Sequence, residues 1–372
     1  MRKILYCCMA ILIMCCKDRY DPPVSSPQTG YLVVEGYISA SGPAEIHLSR
    51  TIPLADSVKL TTEALAKVAV QGMDNSNYAL SESSKGVYTT TVNLNASQLY
   101  RLYIKTKDGK EYASDYVKVK TAPHIDSVSW VRDTTGVKIS INTHDPQNNT
   151  WYYRWETEET WEFHSRYFSM LDFSYDSDGE INGLKYRRPD HQVDTTIYYC
   201  WHSENSSNIL LGSSAKLSQD VIHQQLIFIP KDSWQLSVLY SVNVKQYPLS
   251  KEEYEYLQKM KNNSEATGSI FDKQPSELKG NIHCITKPEE PVIGFIGIAN
   301  RYEQRMWIKN SDVPNWNYRQ SCEYMEIAVD SAKYYPQFTP LSYSGPDHYT
   351  GGEGICVLCT LRGFNTKPSF WP

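Results

Sequence analysis

The sequence predicts a mainly β protein: an N-terminal immunoglobulin-like β-sandwich, then a second, larger β-sandwich-type domain with one helix, then an irregular, disulfide-stapled C-terminal cap. Three observations carry this expectation. Short alternating runs bounded by turn residues recur from Tyr31 onward, in a chain with 28 Tyr, 9 Trp and 9 Phe, and such residues suit pleated, half-buried surfaces. A single stretch near residue 250 combines helical spacing with a start signal. The C-terminal segment lacks apolar periodicity yet holds Cys322, Cys356 and Cys359.

The first unit spans residues 31–123. Tyr31 to Ile38 opens it, and Glu45-Ile46-His47-Leu48-Ser49 alternates as a half-buried strand does. Lys67 to Val70, Tyr78 to Leu80, Gly86 to Leu94 and Leu99 to Ile104 follow. Asp108-Gly109 between alternating runs signals a hairpin, and Tyr112 to Val119 closes the unit. The Cys…Trp…Cys pattern of antibody-type domains is absent.

Ala122-Pro123 marks a boundary, and the second unit spans residues 124–309. Its expected strands begin at Ile125 to Trp130 and Val137 to Asn142, with a turn at His144 to Asn149. Tyr152 to Glu156 and Thr160 to Phe163 follow, then a polar insertion at about 168–193, then Thr196 to Trp201, Gln225 to Pro230 and Leu236 to Gln246. Ser250-Lys251-Glu252-Glu253 is a capping box, in which the serine hydroxyl satisfies a free amide and Glu253 reaches back. It starts a helix at about 250–263. Gly294 to Ala299 and Gln304 to Ile308 are expected to close this second domain, and residues 310–372 form the cap.

The N-terminus speaks of location. Arg2 and Lys3 precede an uncharged run from Ile4 to Met14, too short to span a bilayer and right for a signal-peptide core. It ends in Leu12-Ile13-Met14-Cys15-Cys16, which resembles a bacterial lipobox. Residues 1–15 then form a signal peptide, Cys16 carries covalent lipid, and residues 16–30 form a tether. Several acyl chains together give stable anchoring where one alone is marginal. Lys17, Asp18 and Asp21, within Lys17-Asp18-Arg19-Tyr20-Asp21, resemble the charged export signals of Bacteroidota surface lipoproteins. Such a protein sits on the cell outer membrane, facing outward.

That address makes the compartment disulfide-permissive. Cys200, Cys284, Cys322, Cys356 and Cys359 remain after processing, so at most two bridges form and one thiol is left over. The pairings expected are Cys200 with Cys284, and Cys322 with Cys356 or Cys359. The chain carries 37 Lys and Arg against 42 Asp and Glu, a net charge of −5. No long basic stripe is present, which argues against nucleic acid as a partner.

Several motifs carry a resemblance that covers nearly the whole chain. They are Leu32-Val33-Val34-Glu35-Gly36, the Asp108-Gly109-Lys110-x-Tyr112-x-Ser114 turn, and Asn142-Thr143-His144-Asp145-Pro146 with Tyr152-Tyr153-Arg154-Trp155. Gln274-Pro275 through Gly280-Asn281-Ile282-His283-Cys284, and the tail from Cys356-x-x-Cys359 to Phe370-Trp371, complete the set. The sequence resembles Bacteroidota lipoproteins of the domain-of-unknown-function family numbered 4249. The resemblance implies an outer-membrane lipoprotein often encoded beside TonB-dependent transporters. It implies no catalytic residues.

The residues themselves offer no catalytic set: no G-x-S-x-G elbow, no H-E-x-x-H and no phosphate-binding glycine loop is present. Glu156, Glu158 and Glu162 would share one face of a strand, as paired glycosidase carboxylates do, and as a solvated strand face also does. Asp172, Asp176, Asp178 and Glu180 flank Gly179 and offer hard oxygen ligands for calcium, without matching an EF-hand loop. The expected protein is therefore a non-enzymatic surface lipoprotein without a cofactor beyond its lipid. It binds an unknown ligand or serves a TonB-dependent transporter. The alternatives are a cell-envelope adhesin or structural module, and a glycan- or peptide-acting enzyme.

Overall fold

A computed structural model describes residues 30–52, 61–264 and 278–372. The signal peptide, Cys16, Lys17, Asp18 and Asp21 lie outside the described residues.

The first unit contains β1 (Leu32–Ser39), β2 (Ser41–Arg50), β3 (Thr61–Thr62), β4 (Lys67–Gly72), β5 (Asn77–Ser84), β6 (Val87–Asn93), β7 (Leu99–Lys105), β8 (Glu111–Ser114) and β9 (Val117–Thr121). Alternation decides which side chains enter the core: Tyr100, Leu102 and Ile104 of β7 are buried, while Arg101 and Tyr103 between them are not. The Asp108-Gly109 turn forms as expected, with Gly109 at φ +88° and its amide on the Thr106 carbonyl.

The second unit contains β10 (Ile125–Arg132), β11 (Gly136–His144), β12 (Tyr152–His164), β13 (Leu171–Tyr175), β14 (Ile181–Tyr186), β15 (Tyr199–Asn205), β16 (Leu210–Ser213), β17 (Val221–Pro230) and β18 (Leu239–Pro248). Helix α1 (Lys251–Ser264) follows. A three-stranded sheet, β10-β11-β17, packs on a sheet built around β12 and β18. Val137, Ile139 and Ile141 meet Tyr153, Trp155, Trp161 and Phe163 between them, all fully buried. The two expected strands at 152–156 and 160–163 are one continuous strand, because β12 pairs along its length with β15, β16 and β18.

After the helix the chain departs from the sequence reading. β19 (Ile282–Cys284), β20 (Val292–Ile293) and β21 (Ile298–Asn300) do not close the second domain. They return to the first, where β19 pairs with β8, β20 and β21 run parallel to β1, and β21 also runs parallel to β9. Ile282, Cys284, Val292, Ile296 and Ile298 complete the first core. With β9 also touching β7, the first unit's strands close on themselves. The apolar residues of the returning strands mark them as buried; their partners lie more than 150 positions away, beyond the reach of any local pattern.

β22 (Tyr302–Lys309) rejoins the second unit beside β18, as expected for its segment. β23 (Tyr324–Ala328), β24 (Phe338–Tyr343) and β25 (His348–Glu353) then form a small antiparallel sheet that the cap's composition does not announce. The insertion at 168–193 contains the β13–β14 hairpin, and Leu171 and Phe173 share a core with Ile327, Ala332 and Tyr349 of the cap. The tail packs back: Trp371 is buried, its ring 4.9 Å from that of Trp307 and its Nε1 donating to Glu162 Oε2 at 3.1 Å.

Two disulfides staple this half. Cys322 joins Cys356, one of the two expected partners. Cys200 joins Cys359, not Cys284. The reason is the return of the chain: Cys284 lies buried in the first core, whereas Cys200 lies in the second. Cys284 is the free thiol among the described residues.

Candidate functional site

The expected ion and carboxylate sites resolve into turns and pairs. Asp176 Oδ1 accepts from the amides of Asp178 and Glu180 at 3.0 Å, which fixes the hairpin turn, and Asp172 pairs with Arg187 at 3.2 Å. Asp172, Asp176, Asp178 and Glu180 therefore do not converge, and no group of three metal-ligating side chains occurs among the described residues. Glu156, Glu158 and Glu162 do share a face of β12, as the spacing requires. Each has its own partners there: Glu156 takes Tyr247 and Arg154, Glu158 takes Lys245 and Asn243, and Glu162 takes His164 and Trp371. His144, expected as a turn residue, meets the Asp126 carboxylate at 2.7 Å, and that bond raises its proton affinity.

A cleft of about 540 Å³ lies at the junction of the two units. Six parts of the chain build it. β1 contributes Tyr37, β9 contributes Lys118 and Lys120, β12 and β18 contribute Arg154 and Tyr247, and α1 contributes Glu252, Glu253 and Tyr256. Phe295, Gly297 and Ala299 come from the returning segment.

Aromatic rings form its walls. Tyr37 and Tyr247 meet edge to face at 4.7 Å, and Tyr256 lies 5.7 Å from Phe295. The Tyr37 hydroxyl donates to the Ala299 carbonyl, and the Tyr247 hydroxyl donates to Glu156 Oε2 at 2.6 Å. Burial raises the pKa of both phenols, so they act here as neutral donors. Arg154 is clamped between Glu156, 2.9 Å from its Nη2, and the Tyr247 ring, 4.6 Å from its Cζ.

Glu253 is partly buried in the cleft. The capping box forms as expected: the Ser250 hydroxyl accepts from the Glu253 amide at 3.0 Å, and the Glu253 carboxylate takes the Ser250 amide in return. The carboxylate packs on the Gly297 backbone, where a Cβ would collide with it. Burial pushes its pKa up to about 7, against the pull of Arg154, the Ser250 amide and Lys120. Lys120, partly buried nearby, has no ion-pair partner among the described residues, and burial lowers its pKa. A second hollow, lined by Glu45, His47, Glu156, Lys245 and Arg301, adjoins the cleft through shared Tyr37, Arg154 and Tyr247.

Apart from Glu156 at its edge, sequence alone singles out none of these residues as a site. It shows Glu253 only as a helix cap, and the abundance of tyrosine only hints at a platform. Positions from 37 to 299 meet here only because residues 282–300 go back to the first unit.

Over residues 17–305 the sequence matches the family described as a domain of unknown function (DUF4249). No curated protein matches it. Among solved structures, chitinase ChiA74 from Bacillus thuringiensis is similar at 8% identity and a TM-score of 0.12, over 54% of this chain and 28% of the chitinase. A superposition that weak says nothing of this chain's activity.

Proposed function

The chain belongs to the DUF4249 family, and from that premise we propose a non-enzymatic, lipid-anchored protein of the outer-membrane surface that binds a ligand for a TonB-dependent transporter. Cys16 carries the lipid, and Lys17, Asp18 and Asp21 direct the protein outward. The observation that carries the binding role is the junction cleft, with its aromatic walls and the buried or partly buried polar groups Glu253 and Lys120. Apolar walls with a few placed polar groups are how small-ligand sites are built. The carboxylates of β12, the alternative catalytic set, are each engaged with a structural partner.

Pull-down of the full lipoprotein from detergent-solubilised outer membrane tests the role. A TonB-dependent transporter should co-purify, and Cys16→Ala should release the protein from membranes. Recovery with adhesin-type envelope proteins and no transporter favours the adhesin reading instead. Neutralising Lys17, Asp18 and Asp21 should protect the protein from protease added to intact cells. Undiminished shaving of that variant removes the export role.

A further inference from the structure

One partly buried charge in the cleft makes no direct ion pair among the described residues, and the opposing charges that act on it, Glu253 and Glu252, do so from beyond ion-pair distance. Arg154 is neutralised by Glu156 at 2.9 Å and covered by Tyr247. Lys120 is different: its ammonium is drawn partly out of water on β9, with no ion-pair partner among the described residues. Such a group costs free energy unless a counter-charge arrives. Glu253 takes the Ser250 amide, burial raises its proton affinity, and it forms no direct ion pair with Lys120.

We infer that the cleft receives a carboxylate carried on an aromatic or branched aliphatic body, with the carboxylate on the Lys120 ammonium and the body against Tyr37, Tyr247, Tyr256 and Phe295. This rests on the reading of the cleft as a binding site. A cationic ligand would find Asp115, Glu252, Glu253 and Glu255 in the lining but would leave Lys120 without a direct counter-charge. A neutral one would leave Lys120 unmatched in a drier cleft. A phosphate dianion would bring twice the charge of a carboxylate against the same acidic side chains, Glu252 and Glu253. A single carboxylate matches Lys120 alone, and the rings supply apolar contact of the kind such pockets use for orientation.

Calorimetry with the full-length lipoprotein in non-ionic detergent tests this, using N-acetylphenylalanine and its uncharged amide, which differ only at the carboxylate. The acid should bind roughly tenfold or more tightly than the amide, the size expected for a hydrogen bond to a charged group. Lys120→Met should abolish that preference while leaving binding of the amide, Lys120→Arg should keep it, and Lys85→Met, on an exposed turn outside the cleft, should leave it unchanged. A preference that survives Lys120→Met, or equal affinity for acid and amide, overturns the carboxylate assignment while the cleft stands as a site. No heat from either probe up to about 10 mM overturns the ligand class; a transporter that still co-purifies then leaves the accessory role standing. In a further arm, Gly-Gly-Phe binding more tightly than N-acetylphenylalanine assigns the end of a peptide, and weaker binding assigns a small free acid.

Discussion

Asp220 shows how much one residue can fix. It is buried just ahead of β17, and its carboxylate accepts from the Tyr153 and Ser214 hydroxyls and from the Asp145 amide at 2.7 Å. Its own amide donates to Asn148 Oδ1 at 2.7 Å, so separate segments of the chain share one node. Asp220→Ala strands these donors, and a loss of roughly 3 kcal/mol or more is expected in urea unfolding, from buried donors left without partners. Glu253 sets a pH dependence. Its folded pKa of about 7 lies above the ordinary carboxyl range. The stability it contributes is fully present below the unfolded pKa and is lost as pH rises through about 7. Between pH 5 and pH 8 the wild type should therefore lose stability relative to Glu253→Gln, by about 1–3 kcal/mol at the alkaline end. Melting curves of both proteins across that range give the reading, and parallel curves would contradict the burial of this acid. Sequence shows Glu253 as a cap because capping is local. Its desolvation depends on Gly297, far along the chain, and is not written near it.

At the scale of elements, what is legible follows from range. α1 announces itself through Ser250 and Glu253, three residues apart, and the Asp108-Gly109 hairpin through its turn chemistry. The β13–β14 hairpin carries a similar signal at Asp178-Gly179, but the surrounding charge gives it the look of a polar loop. β19, β20 and β21 are too short for a period to show, at three, two and three residues. The parallel pairing of β20 and β21 with β1 and β9 leaves no turn between partners to betray it. The disulfides follow the same rule: the bridge within the cap, Cys322–Cys356, is among the expected pairs, and the one that depends on which core holds which cysteine is not. The two bridges differ in span, at sequence separations of 34 and 159. Loop-closure entropy then predicts a loss of about 4 kcal/mol for Cys322→Ser and about 5 kcal/mol for Cys359→Ser. Calorimetry of the single variants, with peptide mapping of the unreduced protein, measures both. Recovery of a Cys200–Cys284 peptide would overturn the arrangement described.

For the whole molecule, the sandwich layers are readable from alternation, but the first unit is not contiguous in sequence. A fragment of residues 30–123 lacks β19, β20 and β21 and the core side chains of Ile282, Val292, Ile296 and Ile298. It leaves the edges of β1, β8 and β9 uncovered. It should fail to fold alone, with amides exchanging as in an unstructured peptide, and should recover protection only in a chain extending past residue 300. Slow exchange in the short fragment would show that the returning strands are dispensable. The cleft is illegible for the same reason, since Tyr37, Lys120, Arg154, Tyr247 and Glu253 converge only in the finished molecule. The return has a mechanical side as well. The chain leaves the first unit twice at one place, from β9 into β10 and from β21 into β22, and these exits are tied by the Ala122 amide on the Asn300 carbonyl at 3.0 Å. Two short connections fixed side by side hold the two units together at a single seam. Lys120, Ile298 and Ala299 sit both next to that seam in the chain and in the cleft wall, so the cleft is built at the place where the two units are sewn together.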